Sequence, residues 1–271
     1  MDTQLKLIGK GATAEVFQWE EGKILKLFYS FISKETCNLE YESSRLISSH
    51  FSFLPKAYEI IERDNRCGII YEKVSGPTMM AALLHNLKAC KSYSKRLALI
   101  QTGYQKEISF SLISVKEKLR NDINRTVKLE KAEKEAICTY LEKLPDGSSL
   151  CHFDFHPDNV ILTEQGPMII DWMTACKGDP YADSARTKIL IIHSFVPGVS
   201  PGLQTILKFF KRRIYSSYIK EYQRQTGCTL KDIQMWELPI AAARLAEERP
   251  SEEEARLLKL VRKQLLIKGS V

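Results

Sequence analysis

His152-Phe153-Asp154-Phe155-His156-Pro157-Asp158-Asn159 is the least ordinary stretch of this chain, and Asp171 closes the apolar run that follows it. Between them, Asn159-Val160-Ile161-Leu162-Thr163 and Pro167-Met168-Ile169-Ile170-Asp171-Trp172 flank Glu164-Gln165-Gly166, the pattern of two short strands joined by a tight turn. Such a hairpin returns Asp171 towards Asn159. Asp154, Asn159 and Asp171 are then three oxygen-bearing side chains gathered at one end of one hairpin, which scattered acidic surface residues would not be. Phosphoryl transfer from a nucleotide asks for that set: a carboxylate near the attacking hydroxyl and oxygen ligands that hold magnesium against the phosphates.

Working towards the N-terminus, LKLIG (5–9), AEVFQW (14–19) and KILKLF (23–28) read as strands, rich in branched and aromatic residues and separated by glycine-containing turns. Ser33 opens a helical pattern to Ser49, and KAYEIIE and CGIIYEKV follow as two further strands. Gly9-Lys10-Gly11-Ala12-Thr13-Ala14 lies between two strand candidates, where glycines let backbone N–H groups approach phosphates without an intervening side chain. Alone that is a weak signal, and no GK[ST] follows to make it a Walker A loop. Lys26 sits in an otherwise apolar strand; an ammonium there is unfavourable unless an anion answers it.

Working towards the C-terminus, residues 78–144 carry long charged segments at helical spacing, and helices resume after Asp183, broken at Val196-Pro197-Gly198 and Ser200-Pro201-Gly202. The expected organisation is a sheet domain over 1–76 that binds nucleotide and a mainly helical domain over 77–271 that carries the catalytic hairpin and reads the substrate. At 271 residues the chain is long enough for a full core, and 44% hydrophobic with 27% charged residues is an ordinary globular balance. No apolar run approaches the ~20 residues of a membrane span, and no basic-then-apolar leader opens the chain. A cytoplasmic protein with no membrane partner is expected. The net charge of +7 is spread among interleaved acids, which argues against nucleic acid as partner. Seven cysteines form no CxxC pair, so free buried thiols are expected rather than a zinc site or disulfide scaffold.

The stretch from His152 to Asn159, with Ile170-Asp171-Trp172 after it, resembles the catalytic motif of the aminoglycoside phosphotransferase and choline kinase family and that family's counterpart of the protein-kinase DFG motif. Gly178-Asp179-Pro180 with Asp183 also resembles the family's GDPxxD stretch. Phe153 departs from the pattern, since the family most often has glycine there. The resemblance implies an α+β, protein-kinase-like fold of two lobes, the first a small antiparallel sheet with one helix and the second mainly helical. It implies transfer of the γ-phosphate of ATP or GTP to a hydroxyl of a small acceptor, with Asp154 orienting that hydroxyl and Asn159 and Asp171 ligating Mg2+. His152 and His156 would brace the loop and Asp183 would anchor it.

For the nucleotide the resemblance implies Gly9 and Gly11 at the phosphates, Val16 facing the base, and Lys26 on phosphate oxygens with a glutamate partner from the first helix. Glu40 and Glu42 are both within reach of that position; Glu40 is favoured because Leu46 and Ile47 then fall on the packing side. Ile69 to Gly76 resembles the kinase hinge, with main-chain groups near Glu72 and Val74 reading the purine edge and Tyr71 at the back of the pocket or simply in the core.

A nucleotide-binding pseudokinase is disfavoured by intact Lys26, Asp154, Asn159 and Asp171, and a protein kinase by the absence of an activation segment before Asp183. The acceptor is open among choline or ethanolamine, homoserine, sugars and aminoglycosides. Residues 88–134 carry twelve Lys/Arg against five Asp/Glu, which speaks against a polycationic aminoglycoside. The glutamates from Glu247 to Glu254 alternate with arginines and read as a solvated helix surface. Trp172 and Trp236 read as packing before they read as a cation box.

Overall fold

A computed structural model of the chain describes residues 5–268. It divides into two compact units: the residues up to Ala82 together with Pro157–Thr174, and Leu83–His156 together with those from Ala175 onward.

In the first unit, β1 (Leu7–Lys10), β2 (Ala14–Gln18), β3 (Lys23–Phe28), β4 (Ala57–Arg63) and β5 (Arg66–Glu72) form one antiparallel sheet in the order β1-β2-β3-β5-β4. Alternation along β3 sorts its side chains between two faces. Leu25 and Leu27 pack with Ile70, Phe17 and Trp19, while Ile24 and Phe28 pack with Ile69, Tyr71 and Cys37. Lys26 shares the second face by strand periodicity. That face is covered by α1 (Lys34–Ser48), whose Ser33 cap accepts from Thr36 N at 3.2 Å. The buried positions of α1 are Cys37, Glu40, Ser44 and Ile47, a single stripe at three- and four-residue spacing. The burial of a glutamate in that stripe is the first sign that the face does more than pack.

The hairpin of β7 (Val160–Thr163) and β8 (Gly166–Ile169) packs with this sheet unit, not with the helical one as chain order suggests. Backbone bonds hold it there: Ile169 N to Phe53 O at 2.7 Å and Leu162 N to Pro77 O at 2.9 Å. Gly76 permits the second, since a Cβ on it would sit 2.2 Å from the Leu162 carbonyl oxygen. The expectation of free thiols is corrected for one pair, because Cys37 on α1 and Cys67 on β5 are joined as a disulfide. Helix-on-sheet packing brings together residues 30 apart in sequence, which spacing rules for CxxC motifs do not detect. The other five cysteines are free thiols.

The chain passes from the first unit to the second within α2 (Met79–His85). The second unit contains α3 (Cys90–Tyr104), α4 (Val115–Arg125) and α5 (Lys131–Glu142), then the short antiparallel pair β6 (Ser149–Cys151) and β9 (Cys176–Gly178). Next come α6 (Pro180–His193), α7 (Pro201–Thr226), α8 (Leu230–Gln234), α9 (Glu237–Arg244) and α10 (Ser251–Lys268). α6 is buried on almost every side, including Ala182, Ala185 and Ile189, so its polar residues are interior residues. The two expected breaks after it are one connection: Ser200 caps α7 by accepting from Leu203 N, and Pro201 is its first residue. No described helix is long and apolar enough to cross a membrane.

Candidate active site

In the first unit, three elements far apart in sequence meet at one ammonium. Lys26 Nζ donates to Glu40 Oε1 at 2.7 Å and to Asp171 Oδ1 at 2.9 Å. β3 aims Lys26 at α1, the α1 stripe presents Glu40, and the hairpin ends at Asp171. Glu42, on the opposite side of α1, is exposed. Burial works against the charged lysine, but Asp171 and Glu40 outweigh it and hold its pKa above the ordinary value. Burial, aided by the Asp171 charge, raises the Glu40 carboxyl against the pull of Lys26. Tyr71 completes the group: its hydroxyl donates to Glu40 Oε1 at 2.9 Å and meets Ser44 Oγ at 3.1 Å. The ring is core and the hydroxyl fixes the glutamate, a part the sequence did not suggest for it.

Asn159 and Asp171 lie at the base of the hairpin, where Ile170 N donates to the Asn159 carbonyl at 3.0 Å. Asp171 adopts φ +67°, the left-handed region that non-glycine residues seldom enter, and this turns its carboxylate out of the strand direction. An amide oxygen and a carboxylate are hard donors of the kind magnesium takes alongside phosphate oxygens, so the pair fits that ion.

Gly9 pairs with Val16 across β1 and β2, and Val16 pairs with Lys26 across β2 and β3, which lines these three up across the sheet. Neither Gly9 nor Gly11 has a positive φ, and a Cβ on either would make only ordinary contacts at 3.6 Å. The fold therefore does not require glycine at these two positions. Glu72 ends the β3–β5 ladder opposite Lys23, and Val74 lies just past it. A cavity of about 780 Å³ beside Glu72 and Val74 is lined by Ser48, Phe51 and Met168 but by none of Gly9, Val16, Lys26 or Asp171.

Asp154 belongs to the second unit, and the chain crosses to the first between His156 and Pro157. Its loop is built on α6. Asp183 Oδ1 accepts from Phe153 N at 2.8 Å, Arg186 Nε donates to Phe153 O at 3.0 Å, and Thr187 Oγ1 donates to Phe155 O at 3.0 Å. Asp183 Oδ2 is held in turn by Tyr104 Oη at 2.6 Å and by Gln101 and Gln105 Nε2, each at 3.0 Å. Phe153, the departure from the family pattern, has φ +64°, which is why glycine suits this position; its ring is buried. Asp154 N donates to His152 Nδ1 at 3.2 Å, and His156 Nε2 lies 3.7 Å from Asp154 Oδ2. Burial works to raise the Asp154 pKa, but the His156 hydrogen bond and the charges of His156, Arg186 and His152 outweigh it and hold it well below the usual range.

Sequence reading missed what lies behind Arg186. Its guanidinium pairs with Glu247 at 2.5 Å, Glu247 with Arg244 at 3.1 Å, and Arg244 with Glu253 at 2.7 Å. Arg244 and Glu253 are each 2% exposed, so the expectation of a solvated surface is wrong for Glu253, while Glu247 is partly exposed and paired. Alternating charges look alike whether the helix faces water or a neighbouring helix. The one available clue was Arg186 itself, a charge inside the apolar α6 pattern. Trp172 and Trp236 are buried, with their indole N–H groups on Ile169 O and Asp179 Oδ2, and serve packing.

A family model described as the phosphotransferase enzyme family matches residues 4–205. No curated protein sequence matches the chain. Among solved structures, an aminoglycoside-3′-phosphotransferase of type VIII superposes with a TM-score of 0.63 at 16% identity, over 92% of this chain and 93% of that one. The streptomycin–ATP–APH(2″)-IIa ternary complex gives 0.58 at 17%, over 96% and 91%. Choline kinase from Cryptosporidium parvum Iowa II gives 0.56 at 15%, over 98% and 90%. The α+β fold is thus the protein-kinase-like one.

Proposed function

The chain belongs to the phosphotransferase enzyme family, and on that premise we propose that it moves the γ-phosphate of ATP or GTP to a hydroxyl of a small metabolite. The observation that carries this reading is the Lys26–Glu40–Asp171 cluster: a partly buried ammonium shared by two carboxylates, of which Asp171 is also one of the two magnesium-type donors. Gly9, Gly11 and Lys26 hold the phosphates, Val16 covers the base, and main chain near Glu72 and Val74 reads the purine edge. Glycines that the backbone does not need fit a loop kept bare for phosphate. Glu40 keeps Lys26 aimed. Asn159 and Asp171 would hold Mg2+, which would supply charge to offset that on the transferring group.

Asp154 accepts a hydrogen bond from the acceptor hydroxyl and orients it. Its depressed pKa makes it a weak base towards a free alcohol; it takes the proton only as the oxygen bonds to phosphorus and becomes more acidic. His152, Asp183 and Arg186 fix the loop. The likeness to aminoglycoside and choline kinases leaves the acceptor open, and the surplus of Lys/Arg over 88–134 speaks against a polycation.

The test is magnesium-dependent release of ADP and GDP across amino alcohols, sugars, homoserine and aminoglycosides, with Asp154→Asn as the blank. One compound should stimulate release, and Asp154→Asn should lower that rate about 10²–10⁴-fold while nucleotide affinity stays close to wild type. Equal stimulated release by the variant would remove the mechanism.

A further inference from the structure

Two cationic side chains, Lys211 and Arg256, and the imidazole of His193, from three helices, converge where α6 ends. Lys211 of α7 donates from Nζ to Ser194 O at 2.6 Å and to Ser194 Oγ at 2.9 Å. Arg256 of α10 lies over the Phe195 ring, 5.3 Å from its centroid. His193 stands beside them, half-buried, with its pKa pushed down to about 4 by burial and by the charges of Lys188, Arg256 and Arg244, against the opposing pull of Glu253. Burial and Arg256 also lower the Lys211 pKa, again opposed by Glu253.

The carboxylates that face this segment are already committed. Glu253 Oε1 takes Arg244 Nε at 3.0 Å and Nη2 at 2.7 Å, and its Oε2 takes Phe195 N at 2.9 Å. Glu237 pairs with Lys188. Among the described residues, neither Lys211 nor Arg256 meets a carboxylate. Partly buried cations without counter-charge are costly to keep, and an anion would relieve them.

The position ties this cluster to the catalytic loop. Arg186 and His193 are seven residues apart on α6, so they lie on one face about 10 Å apart along the axis. Arg186 grips the carbonyl of Phe153, the residue before Asp154. The ion-pair ladder from Arg186 through Glu247, Arg244 and Glu253 ends on Phe195 N. We propose that His193, Lys211 and Arg256 form a subsite for an anionic group of the acceptor, a phosphate or carboxylate carried about two helical turns from the hydroxyl that Asp154 meets. This rests on the kinase reading and names its substrate class: an anionic metabolite, not an aminoglycoside or choline.

The experiment titrates inorganic phosphate into the full chain saturated with ADP and magnesium, so that the nucleotide site is filled, and follows binding by calorimetry. Wild type should bind, and Lys211→Met/Arg256→Met should bind about tenfold or more weakly, as expected for two lost charged hydrogen-bonding partners. Arg256→Met alone leaves the Lys211 bonds at the end of α6 intact and should still weaken binding, which separates the effect from misfolding. Lys208→Met/Arg212→Met, an equal charge change at exposed positions of α7, should leave binding unchanged. No phosphate binding by wild type, or equal weakening in that control, overturns the subsite. In a second arm, ADP release is compared for matched acceptors with and without a phosphate or carboxylate. Transfer to the neutral or cationic member alone sinks the subsite and keeps the kinase reading. Phosphate binding that depends on Lys211 and Arg256, with no transfer to any acceptor, supports the anion site and removes the kinase reading.

Discussion

In the first unit one ammonium, Lys26, answers two carboxylates; in the second one carboxylate, Asp183, answers four donors. The first arrangement has acids in excess, and its Asp171 is about one-third exposed. Under the proposed function it would exchange partners when a nucleotide brought its own negative oxygens and a cation to meet the acids. The second is buried except at the partly exposed Gln105 and is already satisfied, so exchange would strand Phe153 N, Tyr104 or Gln101 away from water. The contrast separates a part whose partners can change from a part whose partners are fixed.

The largest expected effect tests the fixed side. Asp183→Ala leaves Phe153 N, the Tyr104 hydroxyl and two amide groups without their acceptor, and should cost about 3–5 kcal/mol in urea unfolding. A loss under about 1 kcal/mol would show that the network is looser than its distances imply.

Next in size is the tie that limits movement on the exchangeable side. Cys37 lies one turn before Glu40 on the buried stripe of α1, and its disulfide to Cys67 encloses a sequence separation of 30. Reduction should cost about 3 kcal/mol by loop entropy and lower the melting temperature, and Cys37→Ser should reproduce the shift. Identical melting with and without a dithiol reductant would break that side of the comparison.

A finer test concerns the turn before Asp154. Both Phe153→Ala and Phe153→Gly lose the buried ring, but only glycine is at ease at φ +64°, so the glycine variant should be the more stable of the two by about 1 kcal/mol. The reverse order would mean that the left-handed turn carries no strain.

The smallest effect belongs to His193. Its folded pKa, about 4, lies below the unfolded value, so between about pH 6.5 and 4 the unfolded chain binds more protons and stability falls as pH falls. The slope should amount to about 1 kcal/mol after allowance for partial exposure, and His193→Gln should remove it in pH-resolved urea melts.

Much of this was legible before any coordinates. Alternation wrote β3 to its observed limits, Ser33 marked the start of α1, and the turn at Glu164-Gln165-Gly166 set the hairpin that returns Asp171 to Asn159. These are signals between residues two to four apart, or across one tight turn, where backbone geometry alone fixes which side chains are neighbours. The motif around Asp154 stood out through its resemblance to a family pattern, and Lys26 through the oddness of a lysine inside an apolar strand.

The rest was decided by packing between elements distant in sequence. Glu40 rather than Glu42 meets Lys26 because the buried stripe of α1 sets the helix's rotation on the sheet. Cys37 meets Cys67 for the same reason, and the hairpin joins the sheet unit because Phe53 and Pro77 offer it backbone partners. The ladder from Arg186 to Glu253 exists only because α6, α9 and α10 bury their charges against one another. Sequence supplies the charges; whether each faces water or a partner is settled by which surfaces the helices press together, and no local spacing records that.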